Sequence, residues 1–457
     1  MMYMSIILAA GEGTRMKSSV SKVLHKVCGR EIVKYVIDAT EKAGIDKNVV
    51  VLGHSKEQVK DCLQNENVVL TEQPIGNGHP YGTGYAVMCA KEYINDEDTV
   101  VLLCGDGPLI KAATIKNLLE YHENGKYALS ILTCMFDNPV GLGRIVRNLD
   151  GTVDKIVEQK DADDEQIKIK EINTGIFCFN GKLLKEALLK LDTNNSQNEY
   201  YITDTVKILG AMGYKIGAFT LNDEREIKAV NDRVQLAEVN KLMQERINEL
   251  HLRNGVTMID PSATYVDADV VIGRDTILYP GTIIETKSII GEGCIIGPNT
   301  RIINSEIKNG VSIDNSKVID SFIDNNTNVG PFAYLRPGTK LGKNVKIGDF
   351  VEVKNSTIDD NTKASHLSYI GDAEVGSKVN IGCGVVFVNY DGIKKHKTIV
   401  KNGAFVGSNS NLIAPVTLEE RAYVACGSTI TDDVEEETLA IARARQVNKP
   451  GKGKGRF

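Results

Sequence analysis

The sequence predicts two successive folds, an α/β domain over residues 1–230 and a parallel β-helix with a basic C-terminal tail over residues 255–457. In the first part, short apolar runs alternate with amphipathic helical stretches, which is typical of an α/β domain. In the second part, an aliphatic residue recurs at every sixth position over long stretches. Between them, residues 231–254 carry apolar residues at helical spacing and are predicted to form a linker helix.

Continuous apolar runs predict the strands of the α/β domain. Because they do not alternate with polar residues, they indicate strands buried on both faces, as in a mostly parallel sheet covered by helices. The runs are Ser5–Ala10, Val49–Gly53, Thr99–Cys104 and Ala128–Thr133. Helices are predicted between them at Ile32–Ala43, Val59–Leu63 and Ala112–Asn124. Ligands of such sheets bind at the carboxyl ends of the strands.

A six-residue spacing of aliphatic residues predicts the β-helix. Each aliphatic residue would point into the coil, and Gly, Asn and Asp would occupy the corners, where φ can be positive. The spacing holds over 266–302, 329–353 and 406–430. It breaks at 303–328, 354–370 and 387–399, the last of which contains a basic run. Inserted loops often form the binding face of a solenoid, although a single break can also be a corner irregularity.

Composition and charge narrow the class of protein. The 457 residues include 60 acidic and 54 Lys or Arg residues, a net charge of −6 that argues against a general nucleic-acid binder. No run approaches the roughly 18–20 apolar residues that cross a membrane. The nine cysteines are widely spaced and lack a C-x-x-C motif. This pattern favours reduced thiols in a cytoplasmic protein over a zinc site or disulfide framework.

Two motifs in the α/β domain point to phosphate and metal binding. The loop Gly11–Arg15 follows the first strand, and its glycines would let backbone N–H groups approach phosphate. Arg15 and Lys22 add positive charge. The loop is neither a Walker loop nor a complete G-x-G-x-x-G, so it is weak evidence by itself. Asp106 follows the third strand, where a carboxylate can hold Mg²⁺, the alternative being an Asp that initiates a turn.

Taken together, the motifs resemble those of a known enzyme family. The segments that carry the resemblance to sugar-nucleotide pyrophosphorylases are Leu8–Met16, Ser21–Leu24, Gly105-Asp106, Gly143–Ile145, Glu158, Glu171–Gly175 and Val230-Asn231. The hexapeptide half, including Lys363–Leu367, resembles acyltransferases. Over nearly its full length the chain is similar to the bacterial bifunctional UDP-N-acetylglucosamine pyrophosphorylase/glucosamine-1-phosphate N-acetyltransferases. The resemblance implies an α/β Rossmann-like nucleotidyltransferase domain followed by a left-handed parallel β-helix of hexapeptide repeats.

For the first domain, the resemblance implies a site where a sugar-1-phosphate attacks the α-phosphorus of UTP. Arg15 and Lys22 would hold the triphosphate, and Asp106 and Asn231 would ligate Mg²⁺. The residues implied in contact with UTP or UDP-N-acetylglucosamine are Leu8, Ala9, Ala10, Gly11, Lys22, Gln73, Gly82, Thr83, Gly105, Asp106, Gly143, Glu158, Asn173 and Asn231. The sequence departs from the family pattern at residues 74–81, which separate Gln73 from Gly82, and at Cys104, where an aromatic residue is frequent.

For the β-helix, the resemblance implies an acetyltransferase site. His366 is the predicted base, since histidine titrates near neutral pH, and Glu352 is predicted to orient its imidazole. Without the resemblance, a corner histidine bonded to backbone would be the plainer interpretation. The residues implied for glucosamine-1-phosphate are Arg336, Lys354, Tyr369 and Asn380. Those implied for acetyl-CoA are Cys383, Asn389, Tyr390, Ser408, Cys426 and Arg443, of which the two cysteines stand where the family often has Ala.

The leading hypothesis is a bifunctional enzyme that acetylates glucosamine-1-phosphate and then transfers UMP from UTP to N-acetylglucosamine-1-phosphate. Its cofactor would be Mg²⁺ and its co-substrate acetyl-CoA, and it would bind neither nucleic acid nor membrane. A homotrimer is expected, because acyltransferases of this fold resemble one another in being trimers. The alternatives are a single-activity nucleotidyltransferase with a structural β-helix, against which His366 and Arg336 argue, and a non-enzymatic scaffold, against which Asp106 and Asn231 argue.

Overall fold

The computed structural model describes residues 2–76, 78–157, 159–160, 162–195, 197–453 and 455. The chain divides into two units, Met1–Met243 and Gln244–Phe457. The division falls inside a long helix, Arg233–Arg253, which lies in the segment where the sequence predicts a linker helix. Among the described helices, none has both the length and the apolar character that a membrane span requires.

The first unit is an α/β unit whose elements alternate along the chain. Its strands are β1 Tyr3–Ala9, β2 Lys26–Val27, β3 Arg30–Glu31, β4 Lys47–Leu52, β5 Val69–Glu72, β6 Thr99–Cys104, β7 Leu129–Met135, β8 Arg144–Arg147, β9 Val153–Val157, β10 Glu171–Asn180 and β11 Ile216–Leu221. Its helices are α1 Ile32–Lys42, α2 Lys56–Leu63, α3 Thr83–Cys89, α4 Ala112–Gly125, α5 Gly181–Leu188, α6 Asp204–Ala211 and the start of α7 Arg233–Arg253. Short 3-10 turns lie at Thr14–Met16, Lys22–Leu24, Lys91–Tyr93, Gln166–Lys168 and Glu224–Ile227.

The main sheet has the strand order β11-β7-β10-β6-β1-β4-β5. Along this order the pairings are parallel except those of β10, which runs antiparallel to both β6 and β7. Beside β10, β8 and β9 extend the sheet as an antiparallel pair. Both faces are buried, because neighbouring residues of one strand enter different core clusters. Ile6 and Leu102 pack in one cluster, whereas Ile7 and Leu103 pack in the other. The prediction of a mostly parallel sheet covered on both faces is therefore confirmed.

His122 is a buried titratable group between α4 and the sheet. Its side chain is only 4% exposed, and its Nδ1 lies 2.9 Å from the Ser130 hydroxyl. Burial lowers the pKa of His122 from 6.5 to about 4. Between these two values the unfolded chain binds more protons than the folded chain does, so folding becomes less favourable as the pH falls.

We expect His122 to lower the free energy of unfolding by about 3 kcal/mol as the pH falls from about 7 to about 4. Each pKa unit of difference between the folded and unfolded chain corresponds to about 1.4 kcal/mol. Urea unfolding followed by far-UV circular dichroism across this range measures the effect. The variant His122→Gln has no titrating group at this position, so its stability should depend less on pH. An unchanged pH dependence in the variant would show that other groups cause it.

The second unit is a coil of very short strands. These are β12 Thr257–Met258, β13 Tyr265–Val266, β14 Val271–Ile272, β15 Ile277–Leu278, β16 Ile283–Glu285, β17 Ile289–Ile290, β18 Ile295–Ile296, β19 Arg301–Ile303, β20 Glu306–Ile307, β21 Ser312–Ile313, β22 Lys317–Ile319, β23 Phe322–Ile323, β24 Asn328–Val329, β25 Tyr334–Leu335, β26 Lys340–Leu341, β27 Lys346–Lys354, β28 Thr357–Ile358, β29 Lys363–Gly371, β30 Ala373–Val375, β31 Asn380–Ile381, β32 Val386–Val388, β33 Thr398–Val400, β34 Phe405–Val406, β35 Asn411–Ile413, β36 Val416–Leu418, β37 Tyr423–Val424, β38 Thr429–Ile430 and β39 Leu439–Ala440. A 3-10 turn lies at Pro261–Ala263.

Each strand of the coil pairs in parallel with the strand one turn later, which generates three faces. The faces begin with β12–β15–β18, β13–β16–β19 and β14–β17–β20. The inward aliphatic residues are fully buried, as the six-residue spacing predicts. The predicted left-handed parallel β-helix is confirmed, and β27 and β29 each run across a corner and so belong to two faces.

The breaks in the six-residue spacing arise from turns of unequal length. The inward residue Leu278 pairs with Ile296, which in turn pairs with Ile313, and the second of these two turns is the shorter. The turn that joins Ile381 to its partner Val406 is much longer than either. It contains the predicted break at 387–399, and its extra residues form a loop between β32 and β33.

Candidate active sites

A cavity of about 220 Å³ opens at the carboxyl ends of β1 and β6 in the first unit. This is the edge where ligands of parallel sheets bind. The cavity combines residues predicted for the nucleotide with others that the sequence did not single out. Its lining residues are Leu8, Ala9, Ala10, Gly11, Lys22, Val23, Gln73, Tyr81, Gly82, Thr83, Ala86, Cys104, Asp106 and Glu199. Glu199 and Tyr81 were missed because neither lies in a recognisable motif.

The segment 74–81 does not separate Gln73 from the cavity. Gly82, which closes the segment, has a φ of 111°, and a Cβ atom there would lie 2.4 Å from the carbonyl oxygen of Tyr200. Tyr200 also donates its N–H to Tyr81 O at 2.8 Å. Gln73 is 5% exposed, and its N–H donates to Leu52 O at 2.7 Å. Gln73 and Gly82, which flank this segment, are therefore both fixed beside the cavity.

Three predicted residues meet beside this cavity, and two of them, Lys22 and Asp106, line it. Lys22 forms an ion pair with Asp106, and its Nζ donates to Asn231 Oδ1 at 3.0 Å. The two oxygen-bearing segments are tied together, since Val230 N donates to Asp106 O at 2.9 Å. The Lys22 ammonium therefore occupies a place where two oxygen ligands converge. This is the donor set that Mg²⁺ prefers, so the residues fit the ion.

The described residues contain no group of three or more His, Cys, Asp and Glu side chains that could hold a metal. Mg²⁺ commonly uses one or two protein oxygens together with substrate phosphates and water. The pair formed by Asp106 and Asn231 suits that mode of binding.

The glycine loop after β1 packs against Lys22. Gly13 has a φ of 68°, and a Cβ atom there would lie 2.9 Å from Lys22 Cβ. Arg233 fixes the end of the loop, because its Nε donates to Met16 O at 3.2 Å. Arg15 is exposed on this loop and does not line the cavity. The structure thus brings Lys22, but not Arg15, into the cavity.

Two of the residues predicted for the sugar, Gly143 and Asn173, lie beside the cavity. Asn173 N donates to Gly143 O at 3.0 Å, and Asn173 Oδ1 accepts from Gly175 N at 3.0 Å. A Cβ atom at Gly175 would lie 3.9 Å from Cys104 Sγ, which lines the cavity. Gly105 is held at the strand end, since its N–H donates to Leu8 O at 2.8 Å. Glu158 lies outside the described residues.

In the second unit, His366 is paired with an acid. Its Nδ1 lies 2.8 Å from Asp349 Oδ1, and the two residues are direct partners in the β27–β29 register. A carboxylate can only accept, so Nδ1 carries a proton and Nε2 is left as the basic nitrogen. The hydrogen bond from His366 lowers the pKa of Asp349. The imidazole is 62% exposed, so Nε2 is accessible.

The prediction that Glu352 orients His366 is wrong. Glu352 accepts a hydrogen bond from Arg336 Nη1 at 2.8 Å and pairs in register with Tyr369. In parallel strands the register fixes which side chains are neighbours, and here it places Asp349 opposite His366. A signal was present in the sequence, because the spacing from Asp349 to His366 equals the spacing between successive inward aliphatic residues of these two strands.

Two of the residues predicted for glucosamine-1-phosphate, Lys354 on β27 and Tyr369 on β29, lie in a polar cluster. Lys354 Nζ is 3.8 Å from Asp372 Oδ2. Asn389 Nδ2 donates to Asp372 Oδ2 at 2.5 Å and to the Tyr369 hydroxyl at 3.3 Å. The neighbouring Lys354 lowers the pKa of Lys395, because a second ammonium group disfavours the charged form. The structure adds Asp372 and Lys395 to the predicted set, and the paired cations suit an anion.

The residues predicted for acetyl-CoA occupy later turns of the coil. Arg443 Nη1 donates to Cys426 O at 2.6 Å. Tyr390 is 56% exposed on the inserted loop, and its hydroxyl donates to Gly392 O at 2.7 Å. Asn380, predicted for the sugar, pairs in register with Phe405. Cys383 is exposed and Ser408 is half-buried.

The fold and these two arrangements define a two-part transferase. Its α/β unit has a cavity where Lys22 meets Asp106 and Asn231, and its hexapeptide solenoid carries an oriented base. Family models agree with this class. Residues 5–149 match the MobA-like NTP transferase domain, and residues 269–304 and 320–355 match the bacterial transferase hexapeptide model (six repeats).

Full-length relatives identify the family. The chain is 58% identical over 453 residues to the bifunctional protein GlmU of Clostridioides difficile strain 630. The match covers 99% of this chain and 97% of that relative. It is 52% identical over 448 residues to bifunctional protein GlmU of Alkaliphilus metalliredigens strain QYMF, with 98% and 97% covered. A solved UDP-glucose pyrophosphorylase in complex with UDP-glucose is 15% identical, with 54% of this chain and 100% of that chain covered and a TM-score of 0.45.

The chain therefore belongs to the family of bifunctional GlmU proteins. The family predicted from the sequence is confirmed, and so is the prediction of a bifunctional transferase.

Proposed function

We propose that the chain makes UDP-N-acetylglucosamine in two steps. The second unit acetylates glucosamine-1-phosphate with acetyl-CoA, and the first unit transfers UMP from UTP to the resulting N-acetylglucosamine-1-phosphate. The observation that carries the proposal is the Asp349–His366 pair. A solenoid that serves only assembly needs no exposed base oriented by an acid, which disfavours a single-activity nucleotidyltransferase.

In the first unit, uridyl transfer relies on position and charge. The uridine would occupy the cavity beside Leu8–Gly11 and Gln73, and Lys22 would pair with the phosphates of UTP. The sugar-1-phosphate oxygen attacks the α-phosphorus and pyrophosphate leaves, without a general base, because that oxygen is already ionised. Mg²⁺ held by Asp106 and Asn231 would neutralise developing phosphate charge. Arg15 would reach the triphosphate from the exposed loop.

In the second unit, His366 Nε2 takes a proton from the substrate ammonium, and the free amine attacks the thioester carbonyl of acetyl-CoA. Asp349 stabilises the imidazolium that forms, as an acid does in other acid–histidine pairs. Lys354 and Lys395 would hold the sugar phosphate, together with Arg336. The thiol of coenzyme A leaves with the proton.

We further propose that the enzyme works as a cytoplasmic homotrimer. Support for the trimer is the exposure of His366 and Tyr390 on a single chain, because acyl transfer benefits from a site closed to water. Light scattering should give three chain masses, and a stable monomer would contradict the trimer. Support for the cytoplasm is that all nine cysteines are free thiols.

The proposal is tested by incubating the purified protein with glucosamine-1-phosphate, acetyl-CoA, UTP and Mg²⁺ and following products by mass spectrometry. UDP-N-acetylglucosamine, free coenzyme A and pyrophosphate are the expected products. If only N-acetylglucosamine-1-phosphate supplied directly is uridylylated, the β-helix is structural.

The corrected partner of His366 gives a further prediction. Asp349→Asn should lower kcat of acetyl transfer by about 100-fold, because an amide cannot stabilise the imidazolium as a carboxylate does. Glu352→Gln is the matched comparison on the same strand. Since Glu352 contacts Arg336, its loss should act mainly on KM for glucosamine-1-phosphate. Steady-state kinetics of both variants separate the two effects, and a larger fall in kcat for Glu352→Gln would restore Glu352 as the orienting acid.

A further inference from the structure

One corner of the β-helix stacks polar and nucleophilic side chains from successive turns. The register places His366 opposite Cys383, because the strand pairs before and after this corner are aligned with the same offset. In the next two turns, the register places Ser408 opposite Cys383 and Cys426 opposite Ser408. The members of this column are Asp349, His366, Cys383, Ser408 and Cys426.

The members of the column share one turn conformation. The residue that follows each member has a positive φ, for example 57° at Phe350, 24° at Leu367 and 75° at Gly384. Equivalent backbone positions in a parallel stack project their side chains in the same direction. Both the His366 imidazole and Cys383 are exposed, so both are open to solvent on neighbouring turns of the coil.

Distances along the column follow from strand spacing. Neighbouring strands lie about 4.8 Å apart, which puts the Cα atoms of Cys383 and His366 about 5 Å apart. Cys426 stands three strands from His366, a separation of about 14 Å. The chain's seven other thiols are buried or half-buried. Cys383 is therefore the exposed thiol nearest to the oriented base.

We propose that Cys383 is a second acyl acceptor, which takes the acetyl group from acetyl-CoA when no amine substrate is bound. Asp349, His366 and Cys383 follow one another as acid, base and nucleophile. In other enzymes, a base oriented by an acid activates a neighbouring thiol in this way. Asp349 Oδ1 lies 2.8 Å from His366 Nδ1 and comes one turn before it, and the register places Cys383 one turn after His366. The inference rests on the proposed function, since it requires acetyl-CoA at this corner.

The step is a thioester exchange. His366 Nε2 takes the proton of the Cys383 thiol, and the thiolate attacks the acetyl carbonyl carbon. A new C–S bond to Cys383 forms, the C–S bond to coenzyme A breaks, and the proton passes to the coenzyme A thiolate. One thiol and one thioester are present on each side, so no oxidant or further reactant is needed. Free coenzyme A reverses the reaction, and glucosamine-1-phosphate competes for the same acetyl group.

Intact-mass spectrometry of the full-length protein with acetyl-CoA alone tests the proposal. We expect one acetyl group per chain, mapped to Cys383 by peptide analysis and released by hydroxylamine, with Cys426 labelled at least about 100-fold more slowly. Cys383→Ala should remove the label, and Cys62→Ala, which removes a half-buried thiol of the first unit, should retain it. His366→Asn should slow labelling of Cys383 by about 100-fold, because the base is lost.

Wild-type protein provides a check that does not depend on a folded variant. Adding glucosamine-1-phosphate or free coenzyme A should suppress the label on Cys383. The proposal is overturned if Cys426 is labelled as fast as Cys383, or if the rate does not depend on His366. It is also overturned if the protein acetylates glucosamine-1-phosphate but never its own thiol. If neither acceptor is acetylated, the proposed function of the second unit fails as well.

Discussion

Asp106→Asn is expected to lower the rate of uridyl transfer by about 1000-fold and to leave acetyl transfer unchanged. The substitution keeps the shape of the side chain but removes the charge that pairs with Lys22 and would hold the cation with Asn231. A divalent cation contributes several kcal/mol to phosphoryl transfer, and about 4 kcal/mol corresponds to about 1000-fold. The measurement is pyrophosphate release from UTP and N-acetylglucosamine-1-phosphate.

The matched control is Asp137→Asn, which removes an exposed acid of the same unit that pairs with Lys170 at 2.9 Å. Exposed ion pairs contribute little, so this variant should retain full activity. Equal losses in both variants would mean that charge in general, rather than Asp106 in particular, supports uridyl transfer. Loss of acetyl transfer in Asp106→Asn, without unfolding, would contradict two independent sites.

His366→Asn is expected to lower acetyl transfer by about 100- to 10,000-fold, the range in which a positioned general base contributes. Uridyl transfer should not change, because the cavity that carries it lies in the first unit and contains no part of the β-helix. Release of coenzyme A, followed with a thiol reagent, measures the effect. A loss smaller than tenfold would show that another group takes the proton.

The His366→Asn and Asp106→Asn proteins also serve as controls for each other. Neither alone should make UDP-N-acetylglucosamine from glucosamine-1-phosphate at the wild-type rate. A mixture of the two should make it, since N-acetylglucosamine-1-phosphate released by one protein can diffuse to the other. Failure of the mixture, with both single activities present, would indicate that the intermediate does not leave the enzyme.

The strands of the first unit could be predicted because buried strands are apolar on both faces. Thr99–Cys104 is such a run, and the structure places β6 at those residues. The direction of β10 could not be predicted in this way, because an apolar run records burial and not the neighbour with which a strand pairs. Asp106 and Asn231 lie far apart in the chain, and no local pattern connects them. Only the resemblance to a family suggested that they act together.

The site around His366 shows a different limit of prediction from the sequence. His366 was found from its local context, but its partner depends on the length of one turn of the coil. Glu352 and Asp349 are both acids on β27, and only the register decides between them. The paired ammonium groups of Lys354 and Lys395 depend on a loop whose path the repeat cannot specify, since the loop departs from the repeat.

The stacking of turns in the β-helix has a consequence for how order is lost. In a quasi-one-dimensional array each turn is held by its two neighbours, so unwinding starts at a free end and proceeds turn by turn. Arg443 and Cys426 lie in the last turns, whereas His366 lies several turns further in. Because Arg443 and Cys426 are predicted, and not shown, to bind acetyl-CoA, fraying of these last turns is expected to weaken capture of acetyl-CoA while the Asp349–His366 pair stays assembled. A weaker affinity for acetyl-CoA would then be the earliest measurable sign that the coil is unwinding.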